Sequence, residues 1–536
     1  MAYKLEIKKI NRRCLNFEDR YFFLIFIATL LIHLSLSTIG WNNTISDYHG
    51  FRQTQTAITT YYVLQDGFRL DYSTPVLGKP WSIPMEFPLF QWIVALFVMI
   101  TKINLDQAGR LASVAFFYLS LIPIYFLLSN FIAKKNHILV FLSLMLASPV
   151  YIFWSRTFMI ESLAIFLGLT FLVMIPKLIR SPTISILLFT IVMGVLAALV
   201  KITTFAIFDL VAVFLFLRFW IVGKYKNSPS EKISVGRIIQ SLFTVSFPLV
   251  INFGWIYFSD HLKTQNPFAN GFITSQALNV WHFGTLTQRL SLDNWVGVFN
   301  LVGPNIWGVS FVQRQFLTFI FIVVFYAGTL LLNRKYWIEA LAFFLFFLVG
   351  PLIFTNLYLV HEYYWYANAV FLLISLGFLI ISFLDVDRLK FVTKFIVLPI
   401  ILLSMYQSYF ARYYNIQKFN NVAYLPLASA IQYFTKPNDI LLIYGFDWSS
   451  EIPYYSQRRA LMDRWNLPFE SSKFQLALKN LGDEKILAMV IRNDTNFNEE
   501  FIEEKIRKLN LLPRPVFKDQ DIELYIAEYT KNGGKN

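Results

Sequence analysis

The chain has 536 residues, of which 56% are hydrophobic, 18% aromatic and only 15% charged. That balance excludes an ordinary soluble protein of this length. The net charge of +14 comes from Lys and Arg in short clusters between apolar runs, so it reports membrane topology and not a nucleic-acid partner. The single cysteine, Cys14, excludes an internal disulfide framework and any multi-cysteine metal site.

The N-terminal "MAYKLEIKKINRRCLNFEDR" is basic, and the apolar run after it is too long for a signal peptide and lacks a small-residue cleavage site. An uncleaved first span is expected there. Further apolar runs, each about 17–25 residues and long enough for ~30 Å of hydrocarbon, follow through residue 410. They fall at 22–40, 88–103, 110–132, 137–154, 158–176, 183–200, 203–222, 236–258, 315–333, 337–355, 365–383 and 389–410. Between them lie "AKKN" (133–136), "KLIR" (177–180), "GKYKNSPSEK" (223–232), "NRK" (333–335) and "DVDRLK" (385–390). All five are expected on the cytoplasmic side, with the N-terminus. The parity closes only if 88–103 begins and ends outside, as a re-entrant or interfacial helix. The expectation is therefore about eleven transmembrane helices, with the C-terminus outside.

This topology gathers Asp47, His49, Arg52, Glu86, Arg156, Glu161, Lys201, His261, His282, His361 and Glu362 on the outer face. Long outer loops are expected at 41–109 and 259–314, and residues 1–412 form the membrane domain. After 412 the pattern changes. "NDILLIYGFDWS", "RALMD", "KILAMVIR" and "LYIAEY" read as short strands, while "SSKFQLALKNLG" and "NEEFIEEKIRKLN" have helical periodicity. A small soluble α/β domain is expected over 413–536, with no nucleotide-binding loop.

The polar motifs each have a plainer alternative. "SDYHGFRQTQTA" (46–57) sets an acid, a histidine, an arginine and two glutamines directly after the first span. Arg156 and Glu161 are five residues apart, ~500° on a helix, so they cannot share one helical face. Arg156 is expected in a loop and Glu161 in the first turns of the next helix. An acid at that depth is costly unless it is paired or wet. Lys201, in "LVKITTF", either neutralises a phosphate or snorkels to headgroups. His361, Tyr363 and Tyr364 end another span, where aromatics are common in any case. Glu86 with His282 or His361 could make a divalent metal site, although their spacing is not diagnostic. "GFDWSSEIPYYSQRRA" (445–460) is rich in acids, aromatics and arginines, and either touches a glycan or packs on the membrane domain.

Four motifs in order resemble the GT-C glycosyltransferases, in particular the bacterial branch with the protein O-mannosyltransferases and the lipid A aminoarabinose transferase. "DYHGFRQTQTA" is similar to the first-loop motif D-x-H-x-W-R-Q-x-D-T-A, and "MEFPLFQW" (85–92) to E-x-P-L-x-x-W. "GRLASVAFFYLSLIPIYFLL" followed by "SPVYIFWSRTFMIESLAIFL" resembles the G-R-L helix and the R-x-x-x-x-[DE] element. "VHEYYWYANA" (360–369) is similar to H-x-Y-Y. The resemblance covers roughly residues 20–380. Phe87 follows Glu86 where the aminoarabinose transferase branch has a lysine.

The resemblance implies transfer of a sugar from a polyprenyl-phosphate donor to an acceptor hydroxyl at the outer face, with inversion, in a bacterial inner membrane. The acceptor would be a glycan, a lipid or a protein. Asp47 would be the base, or would hold a metal that acidifies the acceptor, with Glu161 as the second acid. His49, Arg52, Gln53, Arg156, Lys201, His361, Tyr363 and Tyr364 would bind the donor and its phosphate. A flippase or transporter of lipid-linked glycans is the alternative from another class; it usually needs a midplane site and repeated halves, and no repeat is visible. An oligosaccharyltransferase or polymerase of the same fold is the third.

Overall fold

The computed structural model describes residues 17–221, 235–308, 326–331, 333–463, 471–492, 497 and 499–527. The basic loop 223–232 and most of the run 315–333 lie outside these residues, as does the N-terminal basic stretch up to residue 16.

The membrane part is built from helices joined by loops. In chain order it comprises α1 (Phe17–Ser37), α2 (Gly50–Asp66), α3 (Leu89–Thr101), α4 (Leu105–Leu128), α5 (Lys135–Ala147), α6 (Pro149–Trp154), α7 (Glu161–Arg180), α8 (Ile184–Val200), α9 (Ile202–Ile221) and α10 (Val235–Gln265). Three short helices follow, α11 (Asn279–Phe283), α12 (Leu286–Leu290) and α13 (Leu292–Val302), then α14 at 326–331. α15 (Trp337–Ile353), α16 (Thr355–Val360), α17 (Tyr364–Leu384), α18 (Asp387–Val392) and α19 (Leu398–Arg412) complete it, and α20 (Tyr414–Lys418) and α21 (Leu425–Phe434) lead on to the sheet.

Among the described residues, seven helices are long and apolar enough to cross a membrane. α17 is the central pillar: it is apolar all round and 94% of its span is buried, against 28% for the first. α15, α5, α7 and α9 pack around it. The expected run 137–154 is not one helix. Ser148 is extended and Pro149 starts α6, so the run breaks where proline removes a backbone donor. α3 has 13 residues, about 20 Å of helix, and Lys102 ends it in the left-handed conformation. By length it is too short to cross ~30 Å of hydrocarbon.

The two ends of the bundle differ in chemistry. At one end Asp385 bridges Lys134 (3.0 Å) and Lys335 (2.9 Å), which brings three of the basic loops onto one face. At the other end sits a five-stranded sheet in the order β2-β1-β3-β5-β4. Its strands are β1 (Ile440–Tyr444), β2 (Arg459–Met462), β3 (Ile486–Arg492), β4 (Phe517–Asp519) and β5 (Ile522–Ile526). β1 is parallel to β2 and β3, while β5 is antiparallel to β3 and β4. Every residue of β1 and β5 is buried, as strands covered on both faces require. Helices α22 (Glu451–Ser456), α23 (Ser472–Asn480) and α24 (Glu499–Lys508) accompany the sheet; β4 and α22 carry no pattern in the sequence that announces them.

The sheet does not stand apart from the helices. The first long loop lays residues 75–78 along the β2 edge: Ala460 N donates to Pro75 O (2.9 Å), Met462 N to Val76 O (3.2 Å) and Gly78 N to Ala460 O (3.2 Å). An open edge is thereby covered. Buried Asn266, just beyond α10, holds that segment, its Nδ2 reaching the carbonyls of Leu77 (3.2 Å) and Gly78 (3.0 Å).

Candidate functional site

The loop after α1 is fixed by one buried guanidinium. Arg110, on the second turn of α4, reaches the carbonyls of Trp41 (2.8 Å), Asn43 (2.5 Å) and Thr44 (2.8 Å), and lies 3.7 Å from Asp47 Oδ2. The far side of the loop is held by residues from beyond α19. Asn421 Nδ2 donates to Ser46 O (2.9 Å), and Ile45 N donates to the Tyr455 hydroxyl (2.8 Å). Hydrogen bonds from an ionised donor are stronger than those between neutral groups.

Asp47 is walled in. Arg156 Nη1 approaches its Oδ2 at 3.4 Å and Gln53 Nε2 donates to its Oδ1. Its side chain is 3% exposed, and both arginines are 0% exposed. Gln53 also accepts from Phe158 N (3.0 Å), tying the first loop to the segment between α6 and α7. Burial, and then neighbouring Arg110, pull the Arg156 guanidinium down to about 10, with Asp47 opposing them. It stays protonated at neutral pH.

α2 starts from His49, which holds φ 55° and ψ 43°. A left-handed non-glycine residue is uncommon, and such strain clusters at functional sites. α2 is polar yet buried. Its threonines satisfy themselves against the preceding turn: Thr54, Thr59 and Thr60 donate to the carbonyls of Gly50, Gln55 and Thr56. Arg52 Nη1 donates to Gln55 Oε1 on the same helix, and its Nη2 meets Glu86 Oε1 at 2.9 Å. Burial alone would lower the Arg52 guanidinium, but Glu86, Tyr363 and Glu161 outweigh it and hold it above the usual arginine value.

Glu161 opens α7, where the helix dipole favours an acid. Arg156 lies before the helix and has separate partners, so the two do not pair with each other. Instead Glu161 Oε1 meets Lys201 Nζ at 2.5 Å, between α8 and α9. Lys201 is buried, which rules out snorkelling in this arrangement. Its ammonium lies 4.3 Å from the Tyr364 ring and 5.3 Å from that of Tyr363. Burial lowers its affinity for a proton, opposed chiefly by Glu161. Glu161 Oε2 is buried with no hydrogen-bond partner among the described residues.

His361, between α16 and α17, stacks on Tyr363 (centroids 5.1 Å) and lies 5.6 Å from the His49 ring. Burial first, then His49, Arg52 and Lys201, push it down to about 3. Burial also lowers His49. Both imidazoles are neutral at pH 7.

Of the residues singled out in the sequence, the structure brings together Asp47, Gln53 and Arg156 in one group. Arg52, Glu86, Glu161, Lys201, His49, His361, Tyr363 and Tyr364 form a second, adjoining group. His282 is not drawn in with them; its ring neighbours Phe283, and burial and Lys263 lower its proton affinity. Its neighbour Trp281 is the one that reaches His361, at 5.7 Å. The expected metal set is not assembled. Among the described residues no three of His, Cys, Asp and Glu come together, and Glu86 already faces a cation, Arg52.

Three participants are absent from the sequence reading of the site. Arg110 was visible only as part of the G-R-L motif. Arg412 pairs with Glu362, whose Oε2 accepts from the Tyr413 hydroxyl at 3.3 Å. Beside this pair is a cavity of about 480 Å³ lined by Tyr48, Pro304, Ser408, Ala411, Arg412 and Ile416. Glu362, placed on the outer face beside His361, was the signal the sequence offered for this pair.

No protein-family model matches the sequence, and no curated protein matches it by sequence. Solved structures do. ArnT from Cupriavidus metallidurans, bound to undecaprenyl phosphate, superposes with a TM-score of 0.55 at 12% identity, covering 95% of this chain and 99% of that one. The archaeal oligosaccharyltransferase AglB from Archaeoglobus fulgidus, in complex with an inhibitory peptide and a dolichol-phosphate, superposes with a TM-score of 0.51 at 10% identity, covering 90% and 70%. The chain has the GT-C fold and is an integral membrane protein.

Proposed function

We propose that this chain is a membrane glycosyltransferase that moves a sugar from a polyprenyl-phosphate carrier to an acceptor hydroxyl at the outer face of a bacterial inner membrane. The observation that carries the reading is the meeting of two cation–carboxylate pairs, Arg52–Glu86 and Lys201–Glu161, with His49, His361, Tyr363 and Tyr364. The fold supports it: the solved structures of ArnT and AglB named above contain lipid phosphates.

The chemistry needs little acid catalysis, because a phosphate leaves without prior protonation. It needs cations for the departing charge and one carboxylate for the acceptor's proton. Arg52 and Lys201 supply the first. The acceptor oxygen loses its proton to the carboxylate and bonds to the anomeric carbon from the face opposite the phosphate. The anomeric carbon–oxygen bond breaks, both its electrons stay on the phosphate, and the sugar inverts.

The base is where our reading departs from the sequence expectation. Asp47 has Oδ2 against two guanidiniums and Oδ1 against Gln53, and is 3% exposed. Glu161 is 2% exposed, whereas Glu86 is 14% exposed and is the most open of the three. We assign the proton to Glu86 and make Asp47 a positioning residue that lets two arginines lie side by side. Glu161 sets the place of Lys201.

The test is purified protein in nanodiscs with a panel of polyprenyl-phosphate sugars and labelled acceptors. Release of free polyprenyl phosphate together with a glycosylated acceptor is expected. Movement of the intact lipid-linked sugar between leaflets, with no covalent product, would sink the proposal in favour of a flippase.

A further inference from the structure

The segment after α10 folds into three short helices with a common outward face. Gly284 ends α11 at φ +72°, where a Cβ would lie 2.7 Å from Gln288 Oε1, so the tight corner requires glycine. Thr285 and Gln288 then form a capping box that starts α12, and Ser291 caps α13. The unit is pinned to the end of a membrane span. Gln288 Nε2 donates to Asn356 Oδ1 (3.1 Å), Asn356 Nδ2 to Trp281 O (2.9 Å) and Arg289 Nη2 to Ile353 O (2.9 Å), while Phe283 stacks on Phe354.

With those contacts made, Val298 and Val302 of α13 are buried, while a row of other large apolar side chains is left exposed. Leu286 and Leu290, one turn apart on α12, are 71% and 77% exposed. Leu292, Val296 and Phe299 form a stripe along α13, and Val280, Trp281 and Phe283 extend it onto α11. Arg289, the single Arg or Lys between 279 and 302, is turned inward onto the carbonyls of Phe283 and Ile353. A surface of this kind is costly in water.

We propose that α11–α13 lies in the plane of the membrane, with this face sunk into the headgroup–acyl boundary of the leaflet on the His361 side. Three observations choose lipid as the occupant. The unit is fastened to the outer end of α15, so it sits at the level where the span leaves the hydrocarbon. It packs against α16, whose Val360 is exposed, next to α15, a membrane span whose Leu352 is exposed. It carries an exposed tryptophan, the side chain that favours the interface. Trp281 faces both ways: its ring is exposed in that surface and contacts His361 at 5.7 Å. The bilayer thereby reaches the edge of the candidate site through one residue. This holds whatever reaction the site performs.

The single native cysteine makes the test direct. In a Cys14→Ser chain, Leu286→Cys, Leu290→Cys and, on the polar side, Thr287→Cys are each labelled with an environment-sensitive NBD probe. The full-length protein is then placed in nanodiscs. Both leucines are so exposed that their replacement leaves packing intact, which matching thermal transitions would verify. Positions 286 and 290 should emit at shorter wavelength than 287 and be quenched by lipids carrying a doxyl group high on the acyl chain, but not by iodide. Position 287 should show the reverse preference. Quenching of 286 and 290 by iodide alone would overturn the proposal, because the face would then be in water. Protection from both quenchers would also overturn it, because protein would then cover the face.

Discussion

Lys201 and Glu161 are forty residues apart in sequence and meet at 2.5 Å, both buried, at the entrances to two neighbouring helices. Removing one partner of a buried pair strands the other charge and costs about 3–5 kcal/mol, whereas replacing both by apolar groups can be neutral. Glu161→Gln should lower the thermal transition clearly, and Glu161→Gln with Lys201→Met should recover most of it. Sugar transfer should remain lost in the double variant, because no cation would meet the leaving phosphate. A double variant that recovers both stability and transfer would reduce the pair to a structural bridge.

His361 gives a pH dependence with a definite sign. Its folded value lies at about 3, below the 6.5 of an unfolded imidazole, so the folded state keeps the neutral form. The stability this contributes is complete above pH 6.5 and declines as the pH falls from there toward 3. Arg52, Lys201 and His49 oppose protonation of His361, and burial lowers His49 as well. The thermal transition of the wild type should therefore fall between pH 6.5 and 4.5, and His361→Asn should flatten that fall. An unchanged acid slope in the variant would assign the effect to other groups.

The apolar runs announced the helices because hydrocarbon imposes length and composition directly on the chain. α17 was legible as a span but not as the pillar, since burial against other helices leaves no mark beyond being apolar all round. β1 and β3 were legible as short β-branched and aliphatic runs; β4, with Phe517 beside Lys518 and Asp519, has no alternation to read. The ~500° separation of Arg156 and Glu161 already set them on different faces. Their partners, Asp47 and Lys201, were unreadable because pairing across 109 and 40 residues is a property of the packed bundle. The same holds for α2: "RQTQTAITT" looks like an exposed polar stretch, and only the self-satisfied threonines let it be buried.

The joining of the basic loops through Asp385 makes the sidedness testable. In a Cys14→Ser background, cysteines replacing Lys134 and Arg334 should be shielded from an impermeant thiol reagent added outside intact cells. Cysteines replacing Gln65 and Gln457, all four positions being solvent-exposed in the fold, should react. The reverse pattern would invert the orientation. Reaction at 65 but not at 457 would separate the sheet from the first long loop and contradict the edge contacts at Pro75 and Val76.

The division of labour between Asp47 and Glu86 decides the chemistry. A general base contributes roughly 10²–10⁴-fold, and an amide of the same shape keeps packing while removing the basic oxygen. Glu86→Gln should lower kcat by about that factor with little change in donor affinity, and should remove the acid limb of the pH–rate profile. Asp47→Asn acts differently. It withdraws the carboxylate charge that both Arg110 and Arg156 face, so it should lower the thermal transition by leaving two buried guanidiniums without it. Its transfer rate should recover when Arg156 is changed to Gln as well, because the repulsion is then gone, and its pH–rate profile should keep the acid limb. An Asp47→Asn protein that folds with the wild-type transition yet transfers sugar 10²–10⁴-fold more slowly would return the base to Asp47, and Gln53 would then have to release Oδ1 to the acceptor hydroxyl.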